Sequence, residues 1–386
     1  MVLDVYVSGK LSGVLESGRS GITFRYLEAS SLPLSPSLEV REESWNVRNV
    51  LPFFSNLLPD GWERALLSRA LSLKEGQTLP LLSSVGRDAA GAVSILPHGM
   101  PYKDGAGYTE VTGERIAGKI RKRDEESFLI WNSCVHVTIS GAQSKMCFFR
   151  DNGKWYLPQE SSLTNTIVKP HVSYAENEVI VTKLASLCRF SVPEVELVIF
   201  DGEKAAVSSR YDRKNGKRIH QVDMCQLARI LPENKYECDG GPGVKRVSDI
   251  IARYSSSPGE DQREFRRMLI FNFLSGNADA HAKNFSLLYS EDMTSLRLAP
   301  FYDLVSTAVY PGFDRNLSMK IGKRRNMDTL IREDFLAVEG MDEELLDETA
   351  EIFSSALLKM EDEYGGNELF EKIKAQSLSR LERLRR

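Results

Sequence analysis

Residues 276–286 read Gly-Asn-Ala-Asp-Ala-His-Ala-Lys-Asn-Phe-Ser, and they concentrate ionisable and amide side chains between two apolar runs. The run before this stretch, residues 265–274, predicts a buried helix, and the run after it, residues 285–289, predicts a short strand. Polar groups at such a junction are held by rigid elements and are still open to a ligand. We therefore expect functional residues of the chain to lie in this stretch.

Three side chains in and after the stretch have the spacing that phosphoryl transfer uses. Asn284 follows Asp279 by five positions, and a second acid, Asp303, follows a strand-like segment at residues 296–298. In phosphoryl transfer one carboxylate handles the nucleophile, and an amide and a second carboxylate hold Mg²⁺. Each of these residues alone is more often a helix cap or a turn residue. Because the three occur together, we interpret Asp279 as catalytic and Asn284 and Asp303 as metal ligands.

Two further residues of the stretch, His281 and Lys283, are candidates for the same site. No second His or Cys lies at ligand spacing from His281, so we expect this residue to make a structural hydrogen bond rather than to bind zinc. Lys283 has three interpretations: it neutralises the transferring phosphate, it pairs with Asp279, or it is solvated in a loop. We place Lys283 with the catalytic residues and His281 with the cofactor-binding residues.

Upstream of residue 213 the pattern is that of a β-rich lobe. Strands, a helix and a hairpin are predicted at residues 146–149, 155–157, 166–169, 175–187 and 195–209. Lys169 ends an apolar strand, so we expect its amine to reach a cleft and contact nucleotide phosphates; the alternative is a lysine that extends to solvent. Either Glu176 or Glu178 can pair with it, and the sequence does not choose between them.

Two backbone segments complete the predicted nucleotide site. The loop at residues 139–145 can offer N–H groups to phosphate, although on pattern alone a plain hairpin turn is favoured. Its candidate cofactor-binding residues are Ser140, Gly141, Ala142, Gln143, Ser144 and Lys145. The segment at residues 211–213 lies where two lobes would join, and adenine could stack on it. The alternative there is a loop closed by a local Asp–Arg pair.

The composition excludes several classes of protein. The net charge is −4 and the pI is about 5.9, which argues against a chain that binds nucleic acid by bulk charge alone. Five cysteines without any CxxC spacing indicate a reduced intracellular protein with neither a disulfide framework nor a zinc site. The sequence shows no signal peptide and no apolar run near the length of about 18 residues that a membrane span needs. We therefore expect a cytoplasmic protein without membrane contact.

Changes of pattern divide the chain into three parts. We expect an α+β subdomain at residues 1–105, a small lobe at 106–213 and a helical lobe at 214–386 that carries the catalytic and metal residues. The predicted fold class is α+β with two lobes, the first β-rich and the second all-α. Further helices are predicted at residues 111–131 and 221–229. Ionisable residues near the junction imply a cleft between the lobes.

Short motifs in order along nearly the whole chain resemble the HipA family, bacterial serine/threonine kinases that are the toxins of type II toxin–antitoxin pairs. These motifs are GRDAAGA (86–92), SGAQSK (140–145), RYDR (210–213), DMCQ (223–226), KYECDGGPG (235–243), DAHAKNFS (279–286) and PFYD (300–303). Each motif alone is weak, and the set together is specific. The resemblance implies a two-lobed kinase-like fold with an N-terminal extension.

The resemblance also implies roles for individual residues. Asp279 matches the catalytic aspartate of the family, Asn284 and Asp303 match its magnesium ligands, and Lys169 matches its ATP-contacting lysine. The hinge that holds adenine would be formed by Ser209, Arg210 and Tyr211. In the family, autophosphorylation of a serine just before the glycine-containing loop flips that loop out. Here the matching position is Thr138, and Ser140 is the alternative acceptor.

The partners that the resemblance implies are proteins of translation and repression. The phosphorylated substrate would be a translation protein, typically an aminoacyl-tRNA synthetase such as glutamyl-tRNA synthetase, and its modification would arrest growth. A helix-turn-helix antitoxin resembling HipB would neutralise the toxin and contact operator DNA on behalf of the pair. The alternatives are a kinase-fold co-repressor with little transfer activity and a small-molecule kinase of the aminoglycoside type. A metal-dependent hydrolase using Asp279, His281 and Asp303 is a more distant alternative.

Overall fold

The computed structural model describes residues 1–19, 21–29, 31–103, 105–131, 144–170 and 174–386, together with the backbone of residues 134–135. Several predicted site residues lie outside the described part of the chain: Thr138, Ser140, Gly141, Ala142 and Gln143. Every helix of the described part is too short or too polar to span a lipid bilayer.

The N-terminal part of the chain is a four-stranded antiparallel sheet covered by helices. The strands lie in the order Gly21–Tyr26, Lys10–Gly18, Val2–Val7 and Val93–Pro97. Leu3, Val5 and Val7 alternate onto the buried face of the sheet, which is the pattern that predicts strands here. Three helices follow the first strands: α1 (Val47–Ser55), α2 (Gly61–Ala70) and α3 (Thr78–Val85). Together these strands and helices give the N-terminal part the α+β character predicted for residues 1–105.

The second part contains a six-stranded antiparallel sheet with two helices. The strands lie in the order Val195–Phe200, Glu203–Ser209, Thr166–Pro170, Met146–Asp151, Lys154–Pro158 and Tyr108–Val111. The helices are α4 (Gly113–Arg121) and α5 (Ala175–Leu187). Residues 111–131 were predicted to be mostly helical, but the helix covers only Gly113–Arg121; beyond it Phe128 and Trp131 are buried in the core of this lobe.

The third part is mainly helical rather than all-α. Its helices are α6 (Met224–Ala228), α7 (Val244–Tyr254), α8 (Pro258–Ser275), α9 (Arg332–Leu336), α10 (Glu343–Tyr364) and α11 (Glu368–Arg385). Its strands are Gln221–Asp223, Ser286–Tyr289 and Leu296–Leu298 in one sheet, and Asn316–Ile321 with Arg324–Asn326 in a hairpin. Short hairpins pair Ile130–Trp131 with Cys134–Val135 and Arg213–Lys214 with Lys217–Arg218. Single 3₁₀ turns occupy Gly86–Asp88, Pro232–Asn234, Glu237–Asp239, Ala282–Asn284, Thr307–Val309 and Met327–Thr329.

The helix predicted at 221–229 begins as a strand. Residues 221–223 pair with the strand Ser286–Tyr289, so their backbone groups are already used by the sheet. Asp223 then starts α6 with a capping box, in which its Oδ1 accepts a hydrogen bond from the Gln226 N–H (2.8 Å). The strand brings the start of α6 beside the predicted catalytic stretch.

Helix α8 is the element from which that stretch emerges. It packs against α7, α10 and α11, and its last turns are buried on all sides. Gly276 ends it in the left-handed conformation (φ +82°), and a Cβ at this position would lie 2.8 Å from Cβ of Ala308. Only glycine therefore fits, and the chain leaves a rigid helix at a defined angle.

His220 joins the N-terminal part to the third part through a neutral ring. Its Nε2 lies 2.7 Å from the carbonyl oxygen of Leu34, and its Nδ1 can accept from the N–H of Ala92 at 3.4 Å. One nitrogen donates and the other accepts, which is the arrangement of an uncharged imidazole. Burial lowers the pKa of His220 to about 4, and the bond to Leu34 offsets only part of this effect.

This burial predicts a loss of stability in mild acid. In the unfolded chain the pKa of His220 is about 6.5. Between this pH and the lower pKa of the folded state, the unfolded chain binds a proton at His220 and the folded chain does not. The free energy of unfolding should fall between pH 6.5 and about 4, with a slope approaching about 1.4 kcal/mol per pH unit from this residue. Urea unfolding of wild type and His220→Gln across this range measures the difference. A wild-type slope in His220→Gln would contradict the assignment of this pH dependence to His220.

Candidate active site

A cleft of about 680 Å³ is lined by residues from all three parts of the chain. It brings together every predicted site residue that the structure describes: Ser144, Lys145, Lys169, Ser209, Arg210, Tyr211, Asp279, His281, Lys283, Asn284 and Asp303. These residues come from positions far apart in the sequence. Their convergence on one cleft is the arrangement that the two-lobed prediction requires.

Lys169 lies at the centre of a buried ion-pair group. Its Nζ is 2.6 Å from Oε1 of Glu178 and 2.8 Å from Oδ1 of Asp303. The structure thus selects Glu178 over Glu176. Glu176 instead contacts the amine of Lys204 at 3.2 Å, on the more exposed side of α5. The strand that ends at Lys169, the helix α5 and the segment of Asp303 are linked through this one amine.

The pKa values in this group follow from burial and from the shared amine. Burial alone would lower the pKa of Lys169, but the carboxylates of Asp303 and Glu178 outweigh it and raise that pKa. Burial alone would raise the pKa of Asp303, but Lys169 and Lys145 outweigh it and hold that pKa well below its ordinary value. For Glu178 burial dominates, and its pKa is raised. Asp303 is therefore anionic at neutral pH, as a metal ligand must be.

The backbone at Asp303 is in the left-handed region, with φ of +60°. Such a conformation costs a non-glycine residue about 1–3 kcal/mol, and it persists only where the surroundings enforce it. Asn177 supplies part of that enforcement, because its amide accepts from the Ser306 N–H (2.7 Å) and donates to the Ser306 carbonyl (3.0 Å). Asn177 neighbours Glu178 on α5, so the helix holds the Asp303 segment at two adjacent positions.

Asp279 is half-buried and hydrogen-bonded. The hydroxyl of Tyr236 donates to its Oδ1 at 2.9 Å, and its own N–H donates to Oδ1 of Asn277 at 3.1 Å. Burial raises the pKa of Asp279 to about 6, the bond from Tyr236 opposes this effect, and the charge of Asp303 adds to it. A carboxylate with a pKa near neutrality is suited to accept a proton from a hydroxyl.

Asn284 and His281 flank this carboxylate. Asn284 donates from Nδ2 to the carbonyl oxygen of Asp279 (3.3 Å), so Oδ1 is the atom through which it can bind a metal ion. His281 is buried, and Nδ1 of its ring has no hydrogen-bond partner among the described residues. The structural hydrogen bond that we expected from His281 is therefore not made at Nδ1. A buried polar atom without a partner fits a site that gains a partner when a ligand binds.

Burial lowers the pKa of His281 to about 3, and the nearby charge of Lys235 lowers it further, so the ring is neutral. The ring edge packs against Tyr236, with 5.1 Å between the two ring centroids. Within the described ranges, no three His, Cys, Asp or Glu side chains are arranged to hold a metal ion. Asp279, His281 and Asp303 therefore do not form the three-ligand centre of a metal-dependent hydrolase.

Lys283 does not pair with Asp279. Its Nζ lies 3.1 Å from Oδ1 and 3.0 Å from Oδ2 of Asp60, which comes from the N-terminal part of the chain. The side chain of Lys283 is only 3% exposed, so it is not solvated either. The sequence could not show this pair, because its members are 223 positions apart.

Arg210 contributes its backbone rather than its side chain to the cleft. Its guanidinium has no exposed surface and lies 2.7 Å from Oδ2 of Asp212. The same carboxylate pairs with Arg213 at 2.9 Å, which is the local Asp–Arg pair predicted as the alternative for residues 211–213. Asp88 of the N-terminal part adds contacts to Arg213 at 2.6 Å and Arg218 at 2.9 Å. Ion pairs outside the cleft thus hold the hinge at residues 209–211 in place. In this arrangement the side chain of Arg210 does not contact a nucleotide.

Two family models match the chain. The model of the HipA-like C-terminal domain matches residues 137–363, and the model of the HipA N-terminal domain matches residues 3–96. The chain belongs to the HipA family. The resemblance found in the sequence is therefore confirmed over both regions.

Relatives in the HipA family are named as kinases. The putative kinase Y4mE of Sinorhizobium fredii is 35% identical over 347 residues, which cover 84% of this chain and 81% of that protein. The serine/threonine-protein kinase toxin HipA of Shewanella oneidensis is 28% identical over 346 residues, which cover 83% of this chain and 78% of that protein. A solved structure of Shewanella oneidensis HipA, in a complex with HipB and its operator DNA, has a TM-score of 0.83 and 25% identity. It covers 99% of this chain and 97% of that one, which confirms the kinase-like α+β fold.

Sequence reasoning about this HipA-family chain missed three residues of the site. Tyr236 lies in a motif that carried the family resemblance, but nothing in the motif points to Asp279. Asn177 is a fully buried amide between Glu176 and Glu178 in the first turn of α5, and nothing in the sequence singled it out. Asp60 follows Pro59 at a helix start, where an acid is ordinarily read as a cap.

The two glutamates of α5 allow a matched test of the Lys169 group. Glu178→Gln should lower phosphate transfer by about ten-fold or more, because Lys169 then loses its buried charged partner and its position relative to Asp303. Glu176→Gln should change transfer by less than about two-fold, because its partner Lys204 is at the surface. Steady-state rates with radiolabelled ATP measure both. Equal losses in the two variants would contradict the role assigned to Glu178.

Proposed function

We propose that this HipA-family chain is an ATP- and Mg²⁺-dependent protein serine/threonine kinase that acts as the toxin of a toxin–antitoxin pair. The observation that carries the proposal is the Lys169–Glu178–Asp303 group, which faces Asp279 and Asn284 across one cleft. A set of one amine, three carboxylates and one amide supplies the groups that phosphoryl transfer requires. The names of the relatives support the same activity.

Each residue of the cleft would have a separate role in phosphoryl transfer. Mg²⁺ and ATP supply the γ-phosphoryl group and the positive charge that neutralises it. Asn284, through Oδ1, and Asp303 would hold the metal ion, and Lys169 and Lys145 would bind phosphate oxygens. Burial lowers the pKa of Lys145 to about 8, and the charge of Asp303 offsets part of this effect.

Asp279 would orient the acceptor hydroxyl and take its proton as the oxygen bonds to phosphorus and the ADP oxygen leaves. Tyr236 holds Asp279 from the opposite side through its 2.9 Å hydrogen bond. The backbone of Ser209 and Tyr211 would bind adenine, because both residues line the cleft and the hinge is braced by the Asp88 cluster. The neutral ring of His281 would offer Nδ1 to the bound cofactor.

The partners of the chain belong to the same proposal. The Shewanella oneidensis neighbour was solved with HipB and operator DNA, and the acidic pI of this chain agrees with DNA contact through a HipB-like helix-turn-helix antitoxin. The acceptor protein would be a translation protein, with an aminoacyl-tRNA synthetase such as glutamyl-tRNA synthetase as the first candidate. A cytoplasmic location follows from such partners. Thr138, or alternatively Ser140, would be the site of autophosphorylation.

Incubation of the purified chain with radiolabelled ATP and Mg²⁺ tests the activity. We expect phosphate transfer that stops with a metal chelator and in Asp303→Ala, and we expect phosphopeptide mapping to find Thr138 or Ser140 in the wild type. A phosphoproteome of cells that express wild type or Asp303→Ala then identifies the acceptor. No ATP turnover by the folded chain would favour the co-repressor alternative, and transfer to small molecules alone would favour the aminoglycoside-kinase alternative.

A further inference from the structure

The first turn of helix α2 carries two buried acids, Asp60 and Glu63, with the spacing of a capping box. Acids at these positions ordinarily accept hydrogen bonds from the helix's own N–H groups. Here the start of α2 has no side-chain cap hydrogen bond. The two carboxylates are used elsewhere, and each contacts a different lobe.

Asp60 contacts the C-terminal lobe. Both of its carboxylate oxygens bind the amine of Lys283, at 3.1 and 3.0 Å, and Oδ2 lies 3.6 Å from the amine of Lys235. The three side chains are 10% exposed or less. Burial alone would raise the pKa of Asp60, but Lys283 and Lys235 outweigh it and lower that pKa, so the carboxylate is charged.

Glu63 contacts the small lobe. Its Oε2 accepts a hydrogen bond from the Ser144 hydroxyl at 2.7 Å, and its Oε1 accepts one from the Ser127 hydroxyl. Glu63 is 2% exposed. Ser144 directly precedes Lys145, the second amine of the cleft, and Lys145 directly precedes the strand Met146–Asp151, so this contact holds the segment that carries that amine.

We propose that Asp60 and Glu63 are positioning residues, which set the catalytic loop and the phosphate-binding segment at a defined distance from each other. The inference rests on the proposed kinase function. Lys283 directly precedes Asn284 in the 3₁₀ turn Ala282–Asn284, so the Asp60 carboxylate holds the turn that carries a metal ligand. Residues three apart lie on one face of a helix, and one rigid turn therefore joins both lobes. Misplacement of reacting groups by about 1 Å can cost about 10²-fold in rate.

The two acids predict different kinetic effects. Asp60→Asn should lower kcat by about ten-fold or more with little change in KM for ATP, because the metal-binding turn moves while the small lobe does not. Glu63→Gln should mainly raise KM for ATP, because Ser144 and Lys145 lie on the phosphate side of the cleft. Glu16→Gln, which removes one exposed charge from the same part of the chain, is the control and should leave both constants unchanged.

A double-mutant cycle tests the route through Lys283. If Asp60 acts by holding that amine, Asp60→Asn should have little further effect in a Lys283→Met background. Additive losses in the cycle would overturn the inference. Asp60→Glu keeps the charge and moves the carboxylate by one methylene, so it should fold even if Asp60→Asn does not. We expect Asp60→Glu to lower kcat as well, and a wild-type rate in this variant would also overturn the inference.

Hydrogen exchange separates this inference from the proposed function. Without nucleotide, Asp60→Asn or Asp60→Glu should speed amide exchange in residues 276–286 and leave α10 unchanged, whether or not the chain transfers phosphate. If the wild type transfers no phosphate but exchange changes as expected, the proposed function fails and the positioning contact stands. Unchanged exchange in both variants would overturn the positioning role.

Discussion

Replacing Asp279 with Asn should lower phosphate transfer by about 10²–10⁴-fold, because the acceptor hydroxyl loses the group that takes its proton. The change is nearly isosteric, and the new amide oxygen can still accept the hydrogen bond from Tyr236. Burial raises the pKa of Asp279 to about 6, so a neutral side chain suits the site at least as well as the anion. We therefore expect the free energy of unfolding to be unchanged or slightly higher. Transfer rates with radiolabelled ATP and urea unfolding measure the two quantities.

Asp249→Asn is a matched control for this experiment. Asp249 lies on α7 and pairs with Lys245 at the surface, where solvent screens the interaction. Its loss should leave both the rate and the stability close to the wild type. Undiminished transfer by Asp279→Asn would contradict the catalytic assignment, and joint loss of transfer and folding would leave Asp279 as a structural residue.

Replacing Lys169 with Met should abolish transfer and also destabilise the fold by about 3 kcal/mol at neutral pH. The amine lies between Glu178 and Asp303, and its removal leaves two carboxylates facing each other without a counter-charge. Glu178 already has a raised pKa, so it is the group that will take up a proton in the variant. The difference in the free energy of unfolding between wild type and Lys169→Met should therefore become smaller as the pH falls from 7 towards 5. Urea unfolding at both pH values measures the gap.

Lys204→Met provides the comparison for this second prediction. Lys204 pairs with Glu176 on the same helix α5, but its side chain is 41% exposed. Surface changes of this kind are usually within about 0.5 kcal/mol. A stability loss in Lys169→Met that is independent of pH would show that packing of the aliphatic stem, rather than charge, holds the Lys169 group together.

Local pattern was sufficient for much of the fold and for the core of the site. Helix α5 begins and ends where its periodicity predicts, at Ala175 and Leu187, because its apolar side and its flanking turns are encoded within thirteen residues. Asp279, Asn284 and Asp303 could be identified as candidates because their residue types and their spacing match those that phosphoryl transfer uses. The helix predicted at 111–131 was too long because inward packing of Phe128, a tertiary effect, ends the regular structure.

Local sequence pattern did not predict the contact partners of residues that are close in sequence but have different surroundings in the fold. Glu176 and Glu178 have the same chemistry and lie two positions apart, and only the packing of α5 decides that Glu178 meets Lys169. The same holds for Arg210, which the family resemblance placed in the hinge without indicating where its side chain lies. Its side chain turns into a buried cluster because Asp88 and Asp212 are already there.

The sequence by itself determined the family, the two-lobed plan and the candidate catalytic residues, since these depend on periodicity and on short motifs whose members are close along the chain. Only the tertiary structure decided what holds those residues in place. Asp60 reaches Lys283 across 223 positions, and Tyr236 reaches Asp279 across 43. The physical reason is that partners of a buried charge are chosen by proximity in space, and burial makes each such partner obligatory. The stretch 276–286 carries the proposed chemistry, and the residues that position it come from the rest of the chain.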